Sequence, residues 1–177
     1  RETMAAMFLR ECGYTGEEPV IDPMCGSGTF VLEAAEIAMG LLPGRTRRFD
    51  FERLASFDAA AWEAMKRGAA RRETGLLFRG YDRDAGAVRM AGANAQRAGV
   101  DGTAVFACQP VSALERPEGG AGLVIVNPPW GARIGKPGPL HALHRSLGDV
   151  LRERFRGWRV GLVTPEVGLA RATGLPF

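Results

Sequence analysis

Three short stretches of the chain hold side chains whose types and spacing suit chemistry. Asn127-Pro-Pro-Trp130, followed by Gly131, joins an amide, two residues without an N–H and a flat aromatic. Asp22-Pro-Met-Cys-Gly-Ser-Gly-Thr29 sets a carboxylate just ahead of two glycines and a hydroxyl. Asp82 closes the stretch Leu76–Tyr81. An amide oxygen beside a stiff run of carbonyls accepts hydrogen bonds from an amine, and an exposed aromatic face stacks on a ring. A carboxylate in front of a glycine turn attracts a cation and repels a pyrophosphate. Together these groups suit a polar reaction at nitrogen better than phosphate chemistry.

The elements that must carry them follow from local pattern. Leu123–Val126 is four branched apolar residues with no alternation, as expected of a strand buried on both faces of a parallel sheet. Pro128 and Pro129 end its pairing and hold Asn127 and Pro128 extended, so the backbone leaves the sheet stiffly. Pro19–Ile21 is a short strand before the glycine turn, and Phe30–Met39 an apolar helix after it. Strand, glycine turn and helix aim backbone N–H groups and a helix N-terminus at a ligand. The remaining expectations are helices over Thr3–Glu11, Ala59–Arg72, Asp84–Ala98 and Pro139–Phe155, and strands over Leu76–Tyr81, Thr103–Cys108 and Val160–Thr164. Gly135-Lys-Pro-Gly138 forms a loop before the last helix. Alternating strands and helices predict an α/β doubly wound, mostly parallel, Rossmann-like sheet with helices on both faces. Ligands bind such sheets outside the carboxyl ends of the strands, where all three stretches fall.

The glycine pattern is GSGT and not the GxGxxG of dinucleotide folds. With Asp22 ahead of it, the turn suits S-adenosyl-L-methionine, which carries an ammonium and no phosphate; a plain strand–helix turn without a ligand is the alternative. Asp82 ends the second strand, where an acidic residue binds a ribose diol. Its distance from the glycine turn is longer than the usual roughly twenty residues because residues 40–75 are inserted. Arg45, Arg47, Arg48, Arg71 and Arg72 in that insertion suit RNA phosphates, or else form a solvated loop and helix face.

At 177 residues and a net charge of +3, the chain suits a single domain with a substantial core. It has no apolar run of the roughly 18 residues that a membrane-spanning helix needs, and its opening residues do not read as a signal peptide. Cys12, Cys25 and Cys108 are widely spaced and form no CxxC pair, which argues against a disulfide framework or a zinc site and fits a reducing cytoplasm. His141 and His144, at i and i+3 of a helix, lack an obvious third ligand, so no metal is expected. Lys66 and Lys136 are the only lysines, and the remaining positive charge is arginine, suited to bidentate phosphate contacts.

The glycine string, Asp82 and the Asn-Pro-Pro-Trp corner occur in the right order, one behind each of three strands. This combination resembles the class I S-adenosylmethionine-dependent amino-methyltransferases, and more narrowly the catalytic domain of the THUMP-associated RNA guanine-N2 methyltransferases. The likeness covers nearly the whole chain, including Arg1-Glu-Thr-Met, the insertion and Gly131-Ala-Arg133. By resemblance Asp22, Pro23, Met24, Gly26, Gly28 and Thr29 line the methionine side of the cofactor pocket. Tyr81 and Asp82 lie at the ribose, and Gln109 or Val111 covers the adenine, because Pro110 stands where the family often has aspartate. Asn127, Pro128, Pro129 and Trp130 form the catalytic corner, with Trp where Tyr is commoner. The resemblance further implies an RNA substrate, ribosomal before transfer RNA, a cytoplasmic setting, and a THUMP RNA-binding domain in a longer protein of which residues 1–177 are a fragment lacking the terminal strand pair.

That resemblance also implies a mechanism. Asn127 Oδ1 and the Pro128 carbonyl accept the two N–H groups of a guanine amine and turn its lone pair toward the methyl group. Trp130 stacks on a base that has been flipped out or is already single-stranded. Three rivals use parts of this pattern: DNA adenine-N6 or protein glutamine-N5 methyl transfer at the same corner, a nicotinamide-dependent oxidoreductase, and an RNA-binding module without catalysis.

Overall fold

The computed structural model describes residues 2–67, 71–131 and 137–177. Among these residues five strands form one sheet, β1 (Val20–Asp22), β2 (Phe78–Asp82), β3 (Ala104–Cys108), β4 (Leu123–Val126) and β5 (Arg159–Leu162). Their order is β3-β2-β1-β4-β5, and every pairing is parallel. Six helices accompany them: α1 (Glu2–Glu11), α2 (Thr29–Ala38), α3 (Ala59–Arg67), α4 (Ala85–Ala98), α5 (Pro137–Arg154) and α6 (Val167–Ala172). The chain winds outward from β1 in one direction through β2 and β3, then returns to β4 on the other side of β1. The order therefore reverses between β1 and β4, which is where an open parallel sheet leaves a crevice for a ligand.

The alternation along the central strands divides the core in two. Val20, Leu123 and Ile125 face a cluster built with Ala5 and Leu9 of α1, Val31 and Ala35 of α2, and Ala95 of α4. Ile21, Val124 and Val126 face the opposite cluster, with Leu147, Val150 and Leu151 of α5. The unbroken apolar run of β4 is thus buried on both sides, as the sequence pattern requires. α4 has defined ends: Asp84 caps it by accepting N–H bonds from Gly86 and Ala87, and Gly99 closes it at φ 68°.

Several boundaries differ from expectation. β1 ends one residue later than read, because Asp22 pairs with Gly80, and β2 ends at Asp82, which pairs with Cys108, but begins at Phe78, two residues later than read. Both carboxylates are the last residues of their strands rather than the first beyond them. α5 begins at Pro137, two residues early, since proline is tolerated in a first helical turn. The preceding loop residues Gly135 and Lys136 lie outside the described residues, as do Arg1, Ala132 and Arg133. The helix expected over Ala59–Arg72 stops at Arg67 among the described residues. Arg71 and Arg72 are not helical, and the Arg72 N–H bonds instead to the Met39 carbonyl at 2.9 Å.

The insertion stands at the edge of the sheet away from the β1–β4 crevice. α2 leads away from the crevice for ten residues, roughly 15 Å at 1.5 Å per residue, before the insertion begins. Met39 and Arg72 close its base. Arg45 bonds to Glu36 and to the Ala98 carbonyl, and Arg71 bonds to the Gly99 carbonyl, so two of the five arginines hold the insertion against the C-terminal end of α4. Such cations also complement the helix dipole there. No described residue from Gly40 to Leu77 is buried. The insertion instead packs on itself: Phe49 and Phe51 stack at 5.4 Å, and Trp62 meets both edge-on at 5.9 and 5.0 Å. Arg47 lies over the Phe49 ring and Lys66 over Trp62.

Candidate active site

A cleft with a volume of about 840 Å³ opens at the β1–β4 reversal, within the range of small-molecule sites. Asp22, Met24, Gly26 and Thr29 line it from the glycine turn, and Asn127 and Trp130 from the corner beyond β4. The sheet thus brings together two stretches about a hundred residues apart in sequence.

Asp22 is only 2% exposed. Its Oδ1 accepts the Met24 N–H at 3.0 Å. Burial raises its pKa to about 7, the Met24 hydrogen bond opposes the rise, and the charge of Asp82 adds to it. A buried carboxylate with a single N–H donor, lining a cleft, suits a cationic ligand that would restore its charged form. Burial and the same two carboxylates also push the Cys25 thiol far above its ordinary pKa, which makes it a poor nucleophile.

The glycine turn is pinned from three sides. Cys25 N–H donates to the Tyr81 carbonyl at 2.8 Å, Gly26 N–H to Asp82 Oδ2 at 3.0 Å, and Asn94 Nδ2 to the Ser27 carbonyl at 2.9 Å. Gly28 sits at φ 85°, and a Cβ there would fall 2.9 Å from the Phe106 ring, so the close approach of turn and sheet excludes any other residue. Gly28 is the N-cap of α2 and brings no side-chain cap, leaving the helix's first N–H groups for a ligand.

Asp82, Tyr81 and Gln109 do not line this cleft. They form an adjoining cluster at the ends of β2 and β3, where Gln109 N–H donates to the Asp82 carbonyl at 2.9 Å. Asp82 Oδ1 accepts the Asp84 N–H at 2.9 Å, so each carboxylate oxygen already holds one backbone donor and retains a second lone pair. Val111, the other residue expected near the adenine, is buried in the core against α5. Pro23, Gly28, Pro128 and Pro129 do not line the cleft with side chains; Pro128 directly follows the lining residue Asn127, so its backbone lies at the rim.

At the corner, Trp130 Nε1–H donates to Asn127 Oδ1 at 3.1 Å, and the Trp130 ring is 46% exposed. The indole therefore has two uses: an open face toward the cleft and an N–H that orients the amide. The Gly131 N–H donates to Glu166 Oε1 at 3.0 Å.

Sequence reasoning missed two walls. Met4, Phe8 and Cys12, spaced i, i+4, i+8 along and just beyond α1, close one side of the cleft; that stripe was visible but indistinguishable from a core face. Val163, Thr164 and Pro165 close another, at the carboxyl end of β5, where the strand-end rule would have found them. The two histidines do not face together. His144 is buried with Nδ1 2.8 Å from the Leu140 carbonyl, and His141 is exposed.

This architecture, a glycine turn and a proline-rich corner meeting at the switch point of a parallel sheet, is the class I methyltransferase fold. Residues 1–175 match the UPF0020 family, RMKL-like, methyltransferase domain, and the chain belongs to that family. The chain is 38% identical over 170 residues to the ribosomal RNA large subunit methyltransferase K/L of Vibrio campbellii, covering 92% of this chain and 24% of the relative. It is 38% identical over 186 residues to the protein of the same name from Allochromatium vinosum, covering 99% and 25%. The chain thus spans about a quarter of the length of these curated relatives. Among solved structures, SMU.472, assigned as a methyltransferase and crystallised with SAH, superposes with a TM-score of 0.91 at 28% identity, over 98% of this chain and 46% of that one. A Listeria monocytogenes protein assigned as an N6-adenine-specific DNA methylase gives 0.89 at 30% identity, with the same coverage.

Proposed function

We propose that the chain is the catalytic part of an S-adenosyl-L-methionine-dependent RNA methyltransferase acting on the exocyclic N2 amine of a guanine in ribosomal RNA. The observation that carries this reading is one cleft holding both the buried Asp22 carboxylate and the Asn127 amide oxygen. The names of the curated relatives support the ribosomal substrate, and the SAH in SMU.472, the demethylated form of the donor, supports the cofactor. The longer relatives leave room for a THUMP-type domain that would capture the RNA, and a cytoplasmic setting fits that substrate.

The residues present fit the cofactor. Asp22 would face its ammonium, Gly26 and Thr29 would give backbone contacts, Asp82 would accept the ribose hydroxyls on its remaining lone pairs, and Gln109 would border the adenine. When bound, the donor supplies an electrophilic methyl group on a sulfonium. Asn127 Oδ1 accepts one N–H of the target amine on the lone pair that Trp130 leaves open. The Pro128 carbonyl, the next acceptor along the corner, takes the other N–H. With both N–H groups held, the nitrogen lone pair would be drawn out of conjugation with the ring and directed at the methyl, and the proton that the amine sheds on methylation would pass to solvent. Trp130 stacks on the extruded base and excludes water. The chain's contribution is positioning and fixed dipoles.

The test is transfer of labelled methyl from S-adenosylmethionine to ribosomal RNA by the full-length protein, with digestion to nucleosides. N2-methylguanosine supports the reading. N6-methyladenosine in DNA would favour the second reading, which the same corner and the Listeria assignment suggest. Absence of transfer to any nucleic acid would overturn both.

A further inference from the structure

We infer that Glu166 is a positioning residue for the Asn127 corner, acting through the backbone of Gly131 and the indole of Trp130; this rests on the corner being the reacting site. Glu166 is the N-cap of α6, where a short polar side chain ordinarily satisfies the helix's own first N–H groups. Its carboxylate makes no such bond. The Leu169 and Ala170 N–H groups are taken by the Glu166 backbone carbonyl, and the side chain crosses to Gly131, 35 residues away in sequence. Thr164 Oγ1 accepts the Glu166 N–H at 3.2 Å, which fixes the backbone from which the side chain reaches.

The recipient is equally specific. Gly131 has φ 79°, a left-handed conformation in which its N–H leaves the corner toward the β5–α6 loop. Among the described residues, two side-chain hydrogen bonds hold the corner beyond Pro129, one at each end of Trp130: Gly131 N–H to Glu166, and Trp130 Nε1–H to Asn127 Oδ1. The first sets where the Trp130 backbone sits. The second then decides which end of the Asn127 amide points into the cleft, because an indole N–H bonds the oxygen and repels the NH₂. A target amine needs that oxygen. Glu166 therefore sets the amide orientation without touching substrate. The Glu166 bond is solvent-exposed, so its loss should leave overall stability nearly intact.

The test compares Glu166→Ala with Glu166→Gln, whose amide oxygen can still accept the Gly131 N–H. Hydrogen exchange at the Trp130 indole and the Gly131 amide, read by NMR, should quicken in Glu166→Ala and be restored in Glu166→Gln. Thermal midpoint and S-adenosylmethionine affinity should be unchanged in both. In methyl transfer, Glu166→Ala should lower kcat on the order of tenfold with KM for RNA little changed, again rescued by glutamine. Unchanged exchange in Glu166→Ala, failure of glutamine to rescue, or loss of cofactor binding in step with exchange would each overturn the inference. An inactive wild-type protein with the exchange pattern intact would count against the proposed function and not against the positioning.

Discussion

At the carboxyl ends of β1 and β4, groups distant in sequence hold one another through hydrogen bonds: Gly26 to Asp82, Ser27 to Asn94, Gly131 to Glu166. At the opposite edge the insertion packs on itself, with a cluster of Phe49, Phe51, Phe57 and Trp62, and it meets the body mainly through arginine contacts and the Met39–Arg72 pairing. One region gains its geometry from the whole sheet, the other from neighbours along the chain. A change in the cleft should therefore alter ligand chemistry with modest cost to the fold, and a change in the insertion should act locally and leave ligand chemistry alone.

The largest expected effect is at Asn127. Asn127→Ala should cost on the order of a hundredfold in kcat or more, with S-adenosylmethionine affinity retained; turnover near wild type would remove the corner from the chemistry.

Asp22 comes next. Its folded-state pKa of about 7 exceeds its ordinary 3.8, so between those values the folded chain holds a proton that the unfolded chain has released. Stability without ligand should fall as pH climbs through that window and then level off. A cationic ligand favours the ionised form, so cofactor affinity should rise from about pH 5 to 7, by up to about tenfold per pH unit, and flatten above. Asp22→Asn should abolish the affinity slope and reduce the stability slope, part of which stays because burial also raises the Glu33 pKa to about 7; a titration series across pH checks this. A wild-type affinity that is flat with pH would break the assignment of Asp22 to the cationic end.

Effects at the far edge are smaller. Arg45 spans to Glu36 and Ala98 while partly exposed, so Arg45→Ala should cost about 1 kcal/mol, or a few degrees of thermal midpoint. Cofactor affinity should not change, and the combination with Asp22→Asn should be additive. Trp62→Ala should do least globally. It should open the insertion to limited proteolysis with little change in midpoint, because Trp62 packs only within an unburied cluster. Loss of cofactor binding in either variant would mean the two ends are coupled.

These contrasts follow how much of the molecule was legible in the sequence. β4 could be read because four branched apolar residues can be buried on both faces only inside a parallel sheet. α4 could be read because Asp84 and Gly99 punctuate it. The glycine turn and the corner could be placed at strand ends, and the sheet order then makes them neighbours. The insertion's position could not be read, since it depends on Arg45 and Arg71 finding the end of α4. α3 was read too long because arginines continue a helical composition, yet no buried face supports further turns. α6 was missed because six residues with a glycine, just after Pro165, form a helix only by docking on α5. The walls supplied by α1 and β5, and the reach of Glu166, are tertiary facts with at most a local trace.

Every effect expected at the cleft depends on the β1–β4 crevice binding S-adenosyl-L-methionine. The most direct measurement is calorimetric titration of the chain with that molecule at pH 7.5, alongside Asp82→Ala and Arg45→Ala. One site is expected, weakened about tenfold or more by Asp82→Ala, which removes the proposed ribose acceptor and the Gly26 anchor, and unchanged by Arg45→Ala. No binding by a folded sample, or binding indifferent to Asp82, would contradict it.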